Sequence, residues 1–270
     1  MKTKYKIFIA KILFKVISLF GVPKIKQVVR GKINWKLDLS EGIDLSIFIF
    51  GNFEKDLVRM IDNLSEKKDF DIIDIGSNIG VHTLQFAKKY ENSNVYSIEP
   101  TDFAFNKLQT NINLNNSLKS KIKIYQYFVS NKKLPSKIYS SWSLSSNEIG
   151  HNLHKGILKS TNNCKTISLD DFISQNNIKK DIIIKCDVDG YELDVFKSGE
   201  NYLKKNKPQI IMELAPYLYK ERGYSKNEIF TFFQSLNYTF YDGLKFNKID
   251  DLFEYSSNIK DGSSKNIFIK

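Results

Sequence analysis

Apolar residues along this 270-residue chain fall into two kinds of pattern. Short β-branched runs recur at 71–75, 94–98, 121–129, 181–187 and 209–214, each with the length and content of a buried strand. Between them, apolar residues return every three or four positions after Val81 and over about 102–115, 190–205 and 225–236, which is helical spacing. Ser168, ahead of Leu169-Asp170-Asp171, is placed to cap one more helix. A last strand pair is expected at 238–241 and 265–269. Strands alternating with helices predict a largely parallel sheet covered on both faces. Upstream, residues 24–68 read as short strands and a helix, with 47–51 strand-like and 53–64 helical. Residues 140–159 lack periodicity. Such long irregular segments in compact domains are usually functional or unstructured, and this one is expected to form a substrate lid at 140–160.

The first candidate chemistry follows the 71–75 run, in Asp74-Ile75-Gly76-Ser77-Asn78-Ile79-Gly80. Strand, glycine turn and helix, then a second strand closing on Glu99-Pro100, form the pattern of a nucleotide-type cofactor site. Glycines let backbone approach the ligand, and an acid roughly 20 residues on takes a ribose diol. A dinucleotide loop would place a second glycine where Ser77-Asn78 stand, and no triphosphate-binding G-x-x-x-x-G-K-[ST] loop exists. The spacing suits a cofactor without phosphate, whose amino-acid end needs polar groups and close backbone. S-adenosyl-L-methionine is such a ligand, with Asp74, Gly76, Ser77, Asn78, Gly80, Glu99 and Pro100 as its candidate contacts.

Composition adds bounds. The net charge is +11, from 41 basic and 30 acidic residues, but only Arg30, Arg59 and Arg222 are arginine. Base readout and phosphate forks favour arginine, so no nucleic-acid partner is expected. Lysine-rich usage fits an AT-rich genome, which would make much of the charge compositional; an anionic partner is the alternative. Cys164 and Cys186 form no C-x-x-C, indicating no zinc or iron–sulfur site and a reducing, cytoplasmic compartment. Residues 5–22 are apolar but broken by Lys6, Lys11 and Lys15, a poor transmembrane span without a signal-peptide pattern. They read as a basic amphipathic helix, with Lys4, Lys11, Lys15 and Ser18 on one stripe. Such a helix can lie peripherally on an anionic inner-membrane face, or pack on the catalytic domain or a second subunit of a homo-oligomer. The expected organisation is this helix over 1–22, an extension over 23–68 and a catalytic domain over 69–270.

A second constellation, Lys185-Cys186-Asp187-Val188-Asp189-Gly190-Tyr191-Glu192, puts a lysine and three carboxylates at the carboxyl end of a buried strand. Ligands bind at that edge of an open α/β sheet. Lys185 and Asp187 share a strand face, and a buried lysine requires a partner or a function. Asp187 is a candidate to orient the methionine amino group or an acceptor hydroxyl. Asp189 or Glu192 could accept a proton or bind a divalent ion, although no metal motif is present. Alternatively, Asp189-Gly190 is a turn and Glu192 simply opens a helix.

These segments resemble the FkbM-type S-adenosylmethionine-dependent methyltransferases. Residues 73–80 are similar to that family's VDVGANIG loop, 95–100 to its FEP motif, 168–171 to SLDD, and 185–192 to KIDVEGYE. Phe53-Glu54 and Asn111 to Asn115 match two further family features, so the likeness spans roughly 50–240. Asp189 stands where the family has glutamate. The resemblance implies a Rossmann-like class I methyltransferase fold, a mostly parallel seven-stranded sheet with helices on both faces, here with an N-terminal helical extension. It also implies O-methylation of a hydroxyl on a sugar, a polyketide or another secondary metabolite. With the basic helix, a surface-glycan precursor is the expected acceptor. Alignment of that hydroxyl and removal of its proton are then the enzyme's task, with Asp187, Asp189, His151 and His154 as candidate bases and Lys185 beside them. An RNA methyltransferase fits less well, because no [DN]-P-P-[YF] follows the fourth strand and Cys186 lies mid-strand. A non-catalytic scaffold would not need an intact loop and Glu99.

Overall fold

The computed structural model describes residues 3–51, 53–54, 56–64, 69–145, 148, 150–178 and 181–270. Helix α1 (Thr3–Leu19) leads into a hairpin of β1 (Ile25–Arg30) and β2 (Ile33–Asp38), then α2 (Gly42–Phe50) and α3 (Asp56–Leu64). The central sheet begins with β3 (Phe70–Ile75), α4 (Val81–Lys89), β4 (Val95–Ile98), α5 (Asp102–Asn113), α6 (Asn116–Lys119) and β5 (Ile122–Tyr125). Four short strands follow: β6 (Tyr127–Val129), β7 (Lys137–Tyr139), β8 (Leu158–Ser160) and β9 (Lys165–Ile167). Next come α7 (Leu169–Gln175), β10 (Asp181–Cys186), α8 (Glu192–Lys197), α9 (Glu200–Asn206) and β11 (Gln209–Leu214). The chain closes with α10 (Pro216–Tyr219), α11 (Lys226–Ser235), β12 (Phe240–Asp242), α12 (Leu252–Ser257) and β13 (Lys265–Ile269).

The central sheet has the order β12-β13-β11-β10-β3-β4-β5, and only the pairings made by β13 are antiparallel. Side chains alternate between two cores, as the two-residue strand period requires. Ile73, Ile75, Ile184 and Met212 meet Phe172, Phe196 and Phe233 from α7, α8 and α11. Ile72, Ile183 and Ile211 meet Leu84, Leu108 and Leu45 from α4, α5 and α2. Burying each such side chain contributes roughly 1.5–3 kcal/mol. The expected mostly parallel seven-stranded sheet with helices on both faces is therefore present.

Two local expectations are corrected. Residues 47–51, read as a strand, end α2: Gly51 is left-handed at φ 76° and its N–H closes the helix on the Ile47 carbonyl. A four-residue apolar run fits either element, and here its partners are helical turns rather than a sheet edge. The expected strand over 121–129 breaks at Gln126, whose side chain donates to Asp102; β5 joins the central sheet while β6 pairs with β9. Of the expected lid over 140–160, residues 146, 147 and 149 lie outside the described residues. Much of the remainder is a loop between the paired strands β7 and β8. It is tied to the N-terminal extension by the Gly42 N–H to the Trp142 carbonyl and the Leu144 N–H to the Ser40 carbonyl.

Ser168 caps α7 as expected, accepting the Asp171 N–H at 3.0 Å. Helix α1 lays Leu13, Phe14 and Ile17 on the second core. The side chain of Lys4, part of the expected basic stripe, lies outside the described residues. Among the described residues, no helix is long and apolar enough to cross a membrane.

Candidate active site

The glycine loop turns sharply off β3 because the neighbouring strand leaves no room for a side chain. A Cβ at Gly76, where φ is +78°, would sit 1.8 Å from the Asp187 carbonyl oxygen. Gly76 and Ser77 donate their N–H groups to the Ile98 carbonyl, locking the loop to the end of β4. There Glu99 receives the Asn78 N–H on Oε2 at 3.0 Å, and the Thr101 N–H and hydroxyl on Oε1 at 2.9 and 2.6 Å. Burial raises the Glu99 carboxyl, while the bonds from Thr101 and Asn78 pull it down. The acid expected to hold a ribose diol is thus fixed by the loop that accompanies it. Asp74 lies beneath, accepting the Thr83 hydroxyl at 2.6 Å.

Lys185 takes a nearer partner than the one its own strand suggested. Parallel pairing sets Lys185 opposite Asp74, and Nζ lies 3.0 Å from Asp74 Oδ1 but 4.0 Å from Asp187 Oδ2. Nζ also donates to the Gly76 carbonyl at 2.9 Å. Burial alone would lower the Lys185 pKa, but the Asp74 and Asp187 carboxylates outweigh it and hold the ammonium above its ordinary value. Its charge is committed to holding the loop.

The loop opens onto a cavity of about 440 Å³, within the range of small-molecule sites. Asp187, Asp189 and Glu213 line it from the carboxyl ends of β10 and β11, with Glu54 and His82 opposite, and Pro100 beside Glu99. Phe128, Tyr139, Trp142 and Tyr217 supply apolar and aromatic wall. Burial, reinforced by Asp187, raises Asp189 to about 7. Its backbone is in the left-handed region, and Arg222 donates to its carbonyl at 3.1 Å. Glu213, which no motif pointed to, is pushed well up by burial and by Asp187, Asp189 and Glu54. Its signal was the one used for Asp187, an acid at the carboxyl end of a buried run.

The two candidate histidines are stacked, ring centroids 3.9 Å apart, but only His154 lines the cavity. His151 lies behind it, with Nε2 2.9 Å from both oxygens of Glu221. Its Nδ1 accepts the Leu153 and His154 N–H groups. His154 Nδ1 accepts the Gly156 N–H at 3.1 Å, which assigns the ring proton to Nε2. Burial, His151 and Arg222 lower His154 to about 3. It stands in the wall as a neutral donor. Glu192 is not in the wall; its Oε1 accepts the Val188 and Gly190 N–H groups at 3.3 and 3.2 Å. Burial raises it to about 8, so it holds the turn as a mostly neutral acid rather than as a charge on the helix dipole. Cys164 and Cys186 are free and buried. Among the described residues, no group of three or more His, Cys, Asp or Glu side chains is arranged to hold a metal ion.

The donor set fits S-adenosylmethionine. Among the described residues the wall carries five acidic side chains, Glu54, Glu99, Asp187, Asp189 and Glu213, and one lysine, whose charge Asp74 already holds. A positive sulfonium and a positive amino group would meet these acids favourably and draw down the carboxyls that burial holds up, Glu99, Asp189 and Glu213. The Asn78 side-chain oxygen is buried in the loop without a hydrogen-bond partner among the described residues, leaving an acceptor for that ligand.

The chain is similar to several known proteins. A model of the methyltransferase FkbM domain matches residues 74–240. The hexuronic acid methyltransferase AglP of Haloferax volcanii is 29% identical over 153 residues, covering 56% of this chain and 58% of AglP. The chain thus spans less than two thirds of that relative. Among solved structures, methyltransferase FkbM from Methylobacillus flagellatus has 15% identity and a TM-score of 0.45, covering 77% of this chain and 45% of that one. TYW2 of P. horikoshii in complex with MeSAdo has 16% identity and a TM-score of 0.42, covering 98% of this chain and 82% of that one.

Proposed function

This chain belongs to the FkbM methyltransferase family, an S-adenosylmethionine-dependent methyltransferase, and from that premise we propose that it methylates a hydroxyl of a sugar in a glycan or glycan precursor. The cofactor brings an electrophilic methyl group on a sulfonium. Glu99, Asn78, the 76–77 backbone and Pro100 would hold its nucleoside end, and Asp187 its amino-acid end.

The composition of the remaining wall carries the reading. Tyr139, Trp142 and Tyr217 offer flat apolar surface for a sugar ring, while Asp189 and Glu213 can hydrogen-bond its hydroxyls. AglP, a sugar methyltransferase by name, supports the same class. An alcohol needs a base to become a competent nucleophile, and efficiency is greatest when that base titrates near working pH. Asp189, at about 7, meets the condition. His154 does not, because its Nδ1 is occupied and its Nε2 carries the proton. It is suited to donate to a sugar oxygen. Among the described residues the wall offers a phosphate backbone one lysine, already held by Asp74, which weighs against nucleic acid as acceptor.

The test is an acceptor screen with methyl-labelled cofactor, offering nucleotide sugars, glycolipids and transfer RNA in parallel. Label on a sugar hydroxyl supports the proposal. Label confined to RNA overturns it.

A further inference from the structure

The net charge of this chain is not spread as composition would spread it. Residues 1–37 hold ten basic and no acidic side chains. The remaining 233, with 31 basic and 30 acidic, are almost neutral. The charge therefore sits on the segment that contains α1, and α1 exposes apolar side chains that no described residue covers.

The helix is divided lengthwise. Leu13, Phe14 and Ile17 face inward onto the core beside α2. Phe8, Ile12, Val16 and Leu19, at four-, four- and three-residue steps, make an outward stripe that Phe20 continues. Leu19 is 86% exposed, Phe20 83% and Phe8 64%. Lys11 and Lys15 are exposed along one flank of that stripe. Contiguous large apolar groups left in water mark an interaction surface.

We propose that this face of α1 docks on the surface of a bilayer containing anionic phospholipid. Exposed apolar side chains between lysines, in a segment without acids, combine the two attractions that seat an interfacial helix: apolar burial at the acyl boundary and charge attraction to headgroups. A second copy of the chain is disfavoured as occupant, because the same face would bring two strongly basic segments together. Nucleic acid matches the charge but gives Phe8, Ile12 and Leu19 nothing apolar to enter. The docked face is coupled to the site by α2, which shares a core with α1 and contributes Ile43 to the cavity wall. That placement would present the cavity to acceptors held at a membrane.

Co-sedimentation of the full chain with vesicles tests the proposal, using phosphatidylcholine alone and mixed with phosphatidylglycerol. The wild type is expected to partition onto the mixed vesicles, to bind pure phosphatidylcholine at least tenfold more weakly, and to be released by salt. Ile12→Glu/Leu19→Glu should reduce partitioning by tenfold or more while keeping the wild-type unfolding midpoint. Absence of binding to the mixed vesicles, or binding the double substitution leaves unchanged, overturns the proposal. So does a wild-type dimer in light scattering that the double substitution converts to monomer.

Discussion

Lys185 Nζ and Asp74 Oδ1 face each other 3.0 Å apart across two adjacent parallel strands, in side chains only 2% and 0% exposed. The pair joins the two segments on which the site is built, because Lys185 also holds the Gly76 carbonyl of the loop. Removing one member leaves the other charge buried, with no solvent to repair the loss. Lys185→Met is therefore expected to lower stability by about 3–5 kcal/mol. Asp74→Asn/Lys185→Met should recover much of that loss in urea unfolding. A Lys185→Met chain as stable as wild type would contradict this account of the pair.

Asp189 gives a prediction in pH. A base works deprotonated, so kcat/KM should rise with pH through about 7, where Asp189 titrates. Asp189→Asn should lower kcat about 10²- to 10⁴-fold and remove that limb, with cofactor affinity retained. Steady-state rates across the neutral range decide it. An unchanged profile in the variant would move the proton to another wall carboxylate.

Much of this site was legible in sequence, for a physical reason. Gly76, Asn78 and Glu99 lie on one loop and one strand end, so local spacing specifies their meeting. The Lys185–Asp74 contact needed the parallel register, which joins residues more than a hundred positions apart and which no local pattern encodes. Glu213 escaped because it stands alone after Gln209-Ile210-Ile211-Met212, with no second polar residue to draw attention. The 47–51 run was misread because its β-branched and aromatic content outweighed Gly51, whose left-handed cap was the helical signal. His151 and His154 sit on an irregular loop, where sequence gives residue type but not direction; the structure turns one to Glu221 and the other to the cavity.

Glu192 predicts a slope in stability. Its carboxyl titrates at about 8 when folded, against an ordinary value of 4.5, so between those limits the folded chain holds a proton that the unfolded chain has lost. Its contribution is full below 4.5 and falls as pH rises, by about 1.4 kcal/mol per unit, levelling off above 8. Glu192→Gln keeps a neutral acceptor for the Val188 and Gly190 N–H groups and should flatten that slope. Urea midpoints between acid and mildly alkaline pH would reveal it. Parallel curves for wild type and variant would rule it out.

The loop ending in Gly80 and the carboxylate of Glu99 are proposed to form one cofactor site. Titration calorimetry with S-adenosylmethionine measures this without an acceptor. Wild type should give a saturable single-site heat, and Glu99→Gln should weaken affinity by about 10- to 100-fold through loss of charge-assisted bonds. No heat with the wild type, or equal affinity in the two proteins, would contradict the account.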